Sequence, residues 1–203
     1  MRITIKRSNV KLGMTAPRFL LAISVTSMLW ARNASAQTAI DPQKSSITVR
    51  VFKAGVFSAF GHEHEISASM QQGSFTKNPG SVELTVDARR MRVMDQGISE
   101  KNRAEIQQTM LGPKVLDSEK FPEIRFRSTG IERLGEGRWI VLGDLTIHGE
   151  TRPVKVRVEG ANARYRGTAE LKQKDFGITP ITVGGGAVKV KNELRIEFDI
   201  VSK

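Results

Sequence analysis

Val154-Lys155-Val156-Arg157-Val158-Glu159 alternates β-branched apolar residues with charged ones at strict period two, and this stretch decides the fold. On a strand, side chains two apart share a face, so the three valines meet a core while Lys155, Arg157 and Glu159 meet water. The same period recurs along the chain. Leu194, Ile196, Phe198 and Ile200 alternate with Arg195, Glu197 and Asp199, and Ile47, Val49 and Val51 alternate with Thr48, Arg50 and Phe52. Val82, Leu84 and Val86 are spaced by Glu83, Thr85 and Asp87, and Ile124 and Phe126 by Arg125 and Arg127. Weaker runs at 56–70, 138–147, 163–171 and 187–191 fill in the count. Asn78-Pro79-Gly80, Gly135-Glu136-Gly137 and Gly184-Gly185-Gly186 are turn signals between runs. The pattern predicts an all-β protein of antiparallel strands.

One stretch departs from it. Residues 98–111 lack Gly and Pro, with Ile98, Ile106, Met110 and Leu111 as apolar positions. Ser99 can cap a helix there and Gly112-Pro113 stops it. About eight strands with a single helical excursion favour a closed barrel over a sandwich, because closure removes the edge strands.

The first 36 residues are an address rather than structure. Phe19 to Trp30 form a mostly apolar run behind basic residues and ahead of Ala34-Ser35-Ala36. That is the order of a secretory signal peptide, and the run is too short for a bilayer core of about 30 Å. Met14 offers a tighter start, with Arg18 as its charge. Cleavage after Ala36 leaves one domain, residues 37–203, outside the cytoplasm, which in a two-membrane bacterium is the periplasm.

Composition closes off several function classes. The chain of 203 residues is 39% hydrophobic and 26% charged, enough for one packed domain. Cysteine is absent, so disulfides, thiolate metal cages and a cysteine nucleophile are excluded. The net charge of +11 falls to +5 without the first 36 residues, which hold six basic residues and no acid. The remaining charges are interleaved, and aromatics are only 6%, so the chain lacks the basic, base-stacking face of a nucleic-acid binder.

Few residues carry recognisable chemistry. No Gly-x-Ser-x-Gly elbow occurs, and Gly184-Gly185-Gly186 lacks the Lys-Ser/Thr of a phosphate loop. Arg89, Arg90 and Arg92 form a basic cluster that a solvated face explains. His62 and His64, two apart within Phe60-Gly61-His62-Glu63-His64-Glu65, would share a strand face and can reach one metal ion. They supply at most half of a tetrahedral shell, and the third histidine is the distant His148. Two histidines hydrogen-bonded at a barrel rim are the simpler reading; a metal-binding protein or metal-dependent enzyme is the alternative. The interior itself, lined by medium-sized aliphatic residues, either packs solid or holds one slender apolar ligand.

Three segments bear on that choice. Gly143-Asp144-Leu145-Thr146-Ile147-His148-Gly149-Glu150-Thr151-Arg152-Pro153-Val154 resembles the Gly-Asp-Leu-Thr-Ile-x-Gly-x-Thr-Lys/Arg-Pro-Val motif of the YceI-like family, described as polyisoprenoid-binding, lipocalin-like periplasmic proteins. Phe121-Pro122-Glu123-Ile124-Arg125-Phe126-Arg127-Ser128 and Lys174-Asp175-Phe176-Gly177-Ile178 fit the same family in order and separation. The chain departs from it at Phe60 to His64 and at Met110 to Asp117, where the family carries Gly-x-Phe and Phe-Phe-Asp. Gly149 and Pro153 suit a tight turn between strands, and Asp144 suits its amides.

The resemblance implies a lipocalin-like barrel around a long apolar channel for an isoprenoid or other long-chain lipid. It implies transient contact with a membrane surface, no cofactor and no catalytic set. The expected lining is Val49, Val51, Leu84, Val86, Ile124, Phe126, Leu145, Val154, Val156, Val158, Ile196 and Phe198. N-terminal sequencing of the exported protein is expected to begin at Gln37. Protein that keeps Trp30 and sediments with membranes would make the apolar run an anchor instead.

Overall fold

A computed structural model describes residues 36–54, 63–77, 80–183 and 188–203. The signal segment, His62 and the triple glycine lie outside the described residues, apart from Ala36 at the expected cut. Twelve strands and one α-helix make up the rest. In chain order the first six strands are β1 (Gln37–Ala39), β2 (Ser46–Ala54), β3 (His64–Ser67), β4 (Met70–Lys77), β5 (Gly80–Asp87) and β6 (Arg92–Val93). The helix α1 (Glu100–Leu111) follows. Then come β7 (Glu123–Gly135), β8 (Arg138–Ile147), β9 (Glu150–Ala161), β10 (Arg164–Lys172), β11 (Thr182–Val183) and β12 (Val188–Val201).

All of them belong to one antiparallel sheet. Its hydrogen-bonded path runs β1-β4-β5-β7-β8-β9-β10-β12-β2-β3-β6, with β11 off the path against β12. The expected closed barrel of about eight strands is therefore corrected to an open path of eleven strands plus β11. Part of the higher count comes from a break at Ala68 and Ser69, where the expected run gives way from β3 on β2 to β4 on β1 and β5. The path curls until Ile40 bridges Ser202 and the Asp41 N–H reaches the Val201 carbonyl at 2.8 Å.

Tight turns hold the central strands in register. His148 (φ 53°) and Gly149 (φ 79°) form the two-residue loop between β8 and β9. Two positive φ values match the right-handed twist of the flanking strands. Pro153 lies not in that turn but within β9, opposite Asp144 of β8. The helix begins two residues later than expected, with the Ser99 side chain accepting from the Asn102 N–H at 3.2 Å. Gly112 ends it, donating to the Gln108 carbonyl at 3.0 Å. Gln107 and Arg103 clamp α1 to the segment around β6. The Val93 N–H donates to Gln107 Oε1 at 2.8 Å, and Arg103 Nη2 donates to the Asp95 carbonyl at 2.8 Å.

The two faces of the sheet do different work. Outside, charged residues pair across strands: Arg50 joins Glu65 at 3.1 Å and Glu197 at 2.9 Å. Asp199 accepts from Arg164 at 2.6 and 2.7 Å and from Arg166 at 2.9 Å. Inside, Val49, Ile66, Val86, Met91, Val93, Met110, Leu116, Leu171, Phe176 and Ile178 form a buried cluster under α1 and the 173–178 segment. Ile40, Met70 and Ile200 form a second, smaller cluster.

The hydrogen bond from Arg164, helped by Arg166, holds the Asp199 carboxyl at about 2, below its ordinary 3.8, against the opposing effect of desolvation. A depressed folded value means stability that is present above the unfolded value near 4 and fades as the pH falls through about 2. Asp199→Asn is expected to cost about 1 kcal/mol at pH 7, discounted for the exposed arginines, and nothing below about pH 2. Urea midpoints at pH 7, 4 and 2 check this; a difference that grows toward acid would contradict it.

Candidate functional site

The sheet encloses a cavity of about 1120 Å³. All twelve residues expected from the alternation stand on its wall. Val49 and Val51 come from β2, Leu84 and Val86 from β5, Ile124 and Phe126 from β7, and Leu145 from β8. Val154, Val156 and Val158 come from β9, and Ile196 and Phe198 from β12. Along β9 these valines are half-buried while Lys155, Arg157 and Glu159 are exposed, as period two requires. Val154 packs against the cluster under α1, while Val156 and Val158 border the open interior.

The cavity is long. Tyr165 pairs with Ile200 near one end of β12, and Lys53 pairs with Val190 near the other. Allowing for the register shift between Val190 and Leu194, about eight residues at about 3.3 Å each separate those levels by roughly 26 Å. At the Tyr165 level the wall turns aromatic. Tyr165 lies edge-on to Phe75 at 5.4 Å between centroids, and Trp139 lies 6.1 Å from Tyr165. Lys77 and Arg133 also border the cavity.

The opposite level carries polarity in an otherwise aliphatic wall. Asn102, Glu105 and Thr109 of α1 border the cavity, with Lys53 and His64 on the sheet side. His64 opposes Val51 across the β2–β3 ladder, and its Nδ1 lies 2.5 Å from Asp95 Oδ2. The Asp95 side chain is 1% exposed, and its Oδ1 accepts the Glu65 N–H at 2.8 Å. Among the described residues no three His, Asp or Glu side chains converge as a metal site, and His62 is not among them. His148 stands apart in the β8–β9 turn, edge-on to Phe121 at 4.8 Å.

Glycines shape the wall from behind. A Cβ at Gly167 would stand 2.1 Å from the Arg157 carbonyl oxygen and 2.5 Å from Phe198 Cζ. One at Gly143 would stand 2.5 Å from the Phe126 ring. Both glycines let an aromatic ring lie flat over the neighbouring strand, so the rings line the cavity without crossing it.

These elements have counterparts in known proteins. The model of the YceI-like domain matches residues 39–202. The chain belongs to the YceI-like family. A UPF0312 protein of Vibrio cholerae is 31% identical over 140 residues, covering 62% of this chain and 68% of that relative. A UPF0312 protein of Pseudomonas syringae pv. syringae is 34% identical over 112 residues, covering 50% and 56%. Burkholderia cenocepacia BcnA superposes with a TM-score of 0.60 at 22% identity, over 81% of this chain and 99% of that one. The Campylobacter jejuni YCEI protein gives 0.50 at 13%, over 68% and 81%. At these identities the two structures share the YceI-like fold with this chain.

Three features of the site escape reading from alternation alone. The aromatic end is assembled from strand termini, and α1 contributes a mixed rather than an apolar face. Asp95, in a segment with no periodic signal, is 31 residues from the histidine it holds. For the glycine-backed wall, Gly167→Ala is expected to cost about 1–3 kcal/mol, because neither a carbonyl nor a packed ring gives way freely. Gly130→Ala is the control: its Cβ would meet only Leu142 at 3.9 Å, so stability should hold or rise by up to about 1 kcal/mol. Denaturant midpoints of the two variants decide the point, and equal midpoints would contradict it.

Proposed function

We propose that this YceI-like protein is a noncatalytic binding or carrier protein that holds an isoprenoid-tailed or similar long-chain lipid in the cavity. Its place of work is the periplasm, reached through the cleaved N-terminal signal, and loading and release involve transient contact with a membrane surface. The observation that carries this reading is the large cavity bordered by half-buried Val, Ile, Leu and Phe side chains of seven strands. Three magnitudes support it.

A dry void costs roughly 24 cal/mol per Å³. Were all 1120 Å³ to stay dry, that would be on the order of 25 kcal/mol, beyond the net stability of an ordinary domain, about 5–15 kcal/mol, so the space does not stay empty. Water is a poor filling, because each buried water needs two to four polar partners and the wall offers them only at its ends. An apolar chain gains about 0.8 kcal/mol per buried CH₂, so fifteen carbons gain about 12 kcal/mol, comparable with the cost of immobilising a ligand. The volume also exceeds the roughly 300–1,000 Å³ of pockets for drug-sized molecules.

Enlarging Val156 tests the reading. Val156→Phe adds a ring to the middle of the β9 wall. In a solid core that overpacking costs about 1–3 kcal/mol. In a lipid-holding cavity the ring occupies ligand space, so stability holds while binding of a fluorescent long-chain lipid falls. Lys155→Phe, on the exposed face, should change binding little. A Val156→Phe protein that is clearly destabilised and still loads lipid would overturn the proposal.

A further inference from the structure

His64 combines a fixed orientation on the wall with an uncommitted ring nitrogen. Its Nδ1 is taken by Asp95 Oδ2 at 2.5 Å, and that carboxylate is itself fixed by the Glu65 N–H on Oδ1. A carboxylate only accepts, so Nδ1 carries the proton, and in the neutral ring Nε2 is then an acceptor. Among the described residues no hydrogen bond reaches Nε2. None of their fully buried side-chain nitrogens or oxygens lacks a partner, so Nε2 borders open space rather than apolar atoms. His64 stands on the cavity wall, opposite the inward-facing Val51.

We propose that His64 Nε2 is the headgroup anchor of the cavity and selects a long-chain alcohol, accepting the proton of its hydroxyl. This rests on the lipid-binding reading above and narrows it to a ligand class. A hydroxyl is the matching group because it donates one hydrogen bond and accepts another. Lys53, the next inward residue after Val51 on β2, borders the same end and is a donor to the hydroxyl oxygen. Ethers, alkanes and acyl esters offer Nε2 nothing. A free carboxylate meets the negative charge of Asp95 behind the ring. The tail then runs from α1 toward the aromatic end near Trp139 and Tyr165. Prenyl and straight-chain alcohols share this chemistry and differ only in tail shape.

The test measures affinity of the protein for geranylgeraniol and hexadecanol and for the methyl ether of each. The wild type is expected to bind each alcohol about two- to tenfold more tightly than its ether, the worth of one net hydrogen bond. Comparing the two alcohols shows which tail the wall prefers. Asp95→Asn is the diagnostic variant. The Glu65 N–H keeps the amide oxygen on its own side, so the amide NH₂ faces Nδ1 and moves the ring proton to Nε2. The variant should lose the preference for alcohol or reverse it toward the ether. His64→Phe should bind alcohol and ether alike.

Equal affinity of the wild type for alcohol and ether, or tighter binding of hexadecanoate than hexadecanol, would overturn the anchor and leave the lipid cavity standing. Failure to bind any of these chains would overturn the cavity reading as well. The wild-type ratio needs no variant, so a destabilised Asp95→Asn protein does not blunt the test.

Discussion

Val156 and Val158 on β9 direct apolar side chains toward the cavity, while Val154 and Ile196 also pack against the cluster under α1 and Phe198 against Ile40, Met70 and Ile200. Apolar surface drives a sheet to cover one face, yet here the covering atoms belong to the same curled sheet at a distance. The consequence is a wall whose inward residues stay half-buried. Among the described residues no large side chain falls below 2% exposure. Buried side chains gather in the cluster under α1 and the 173–178 segment and in the smaller one of Ile40, Met70 and Ile200. The molecule is therefore tight at these two clusters and open at the cavity wall outside them.

The outer face keeps that open arrangement in shape. Cross-strand ion pairs such as Arg50 with Glu65 and Glu197 tie β2 to both neighbours, although exposed pairs contribute little each. Backbone ladders do most of the holding, and two-residue turns such as His148-Gly149 fix their register. Gly143 and Gly167 matter because they let Phe126 and Phe198 lie along the wall rather than across the cavity. At the polar end, Gln107 and Arg103 hold α1 against the segment that carries Asp95, and Asp95 in turn orients His64. Fold and site thus share their fasteners.

Period two made the inward residues of β2, β5, β7, β8, β9 and β12 legible, because a strand with one wet face must alternate. Capping chemistry at Ser99 and Gly112 placed α1 to within two residues. The strand count was not legible. β1, β6 and β11 have two or three residues each, too few for a period to show, and the break at Ala68 and Ser69 carries no Gly or Pro. The run 187–191 reads as separate from Leu194 to Ile200, yet the two form one strand with a register shift between Val190 and Leu194. The Asp95–His64 pair was hidden for a different reason: it is made by the β3–β6 ladder, a contact between segments with no shared motif.

The central claim is that the cavity of this YceI-like protein is occupied by an apolar chain in its working state. Native mass spectrometry of the protein purified from the cells that make it tests it most directly. The account predicts a retained mass, released by organic extraction, with the composition of a long hydrocarbon or isoprenoid chain. Protein that flies at the bare mass of its polypeptide, extracts nothing apolar and takes up no added long-chain lipid would contradict it.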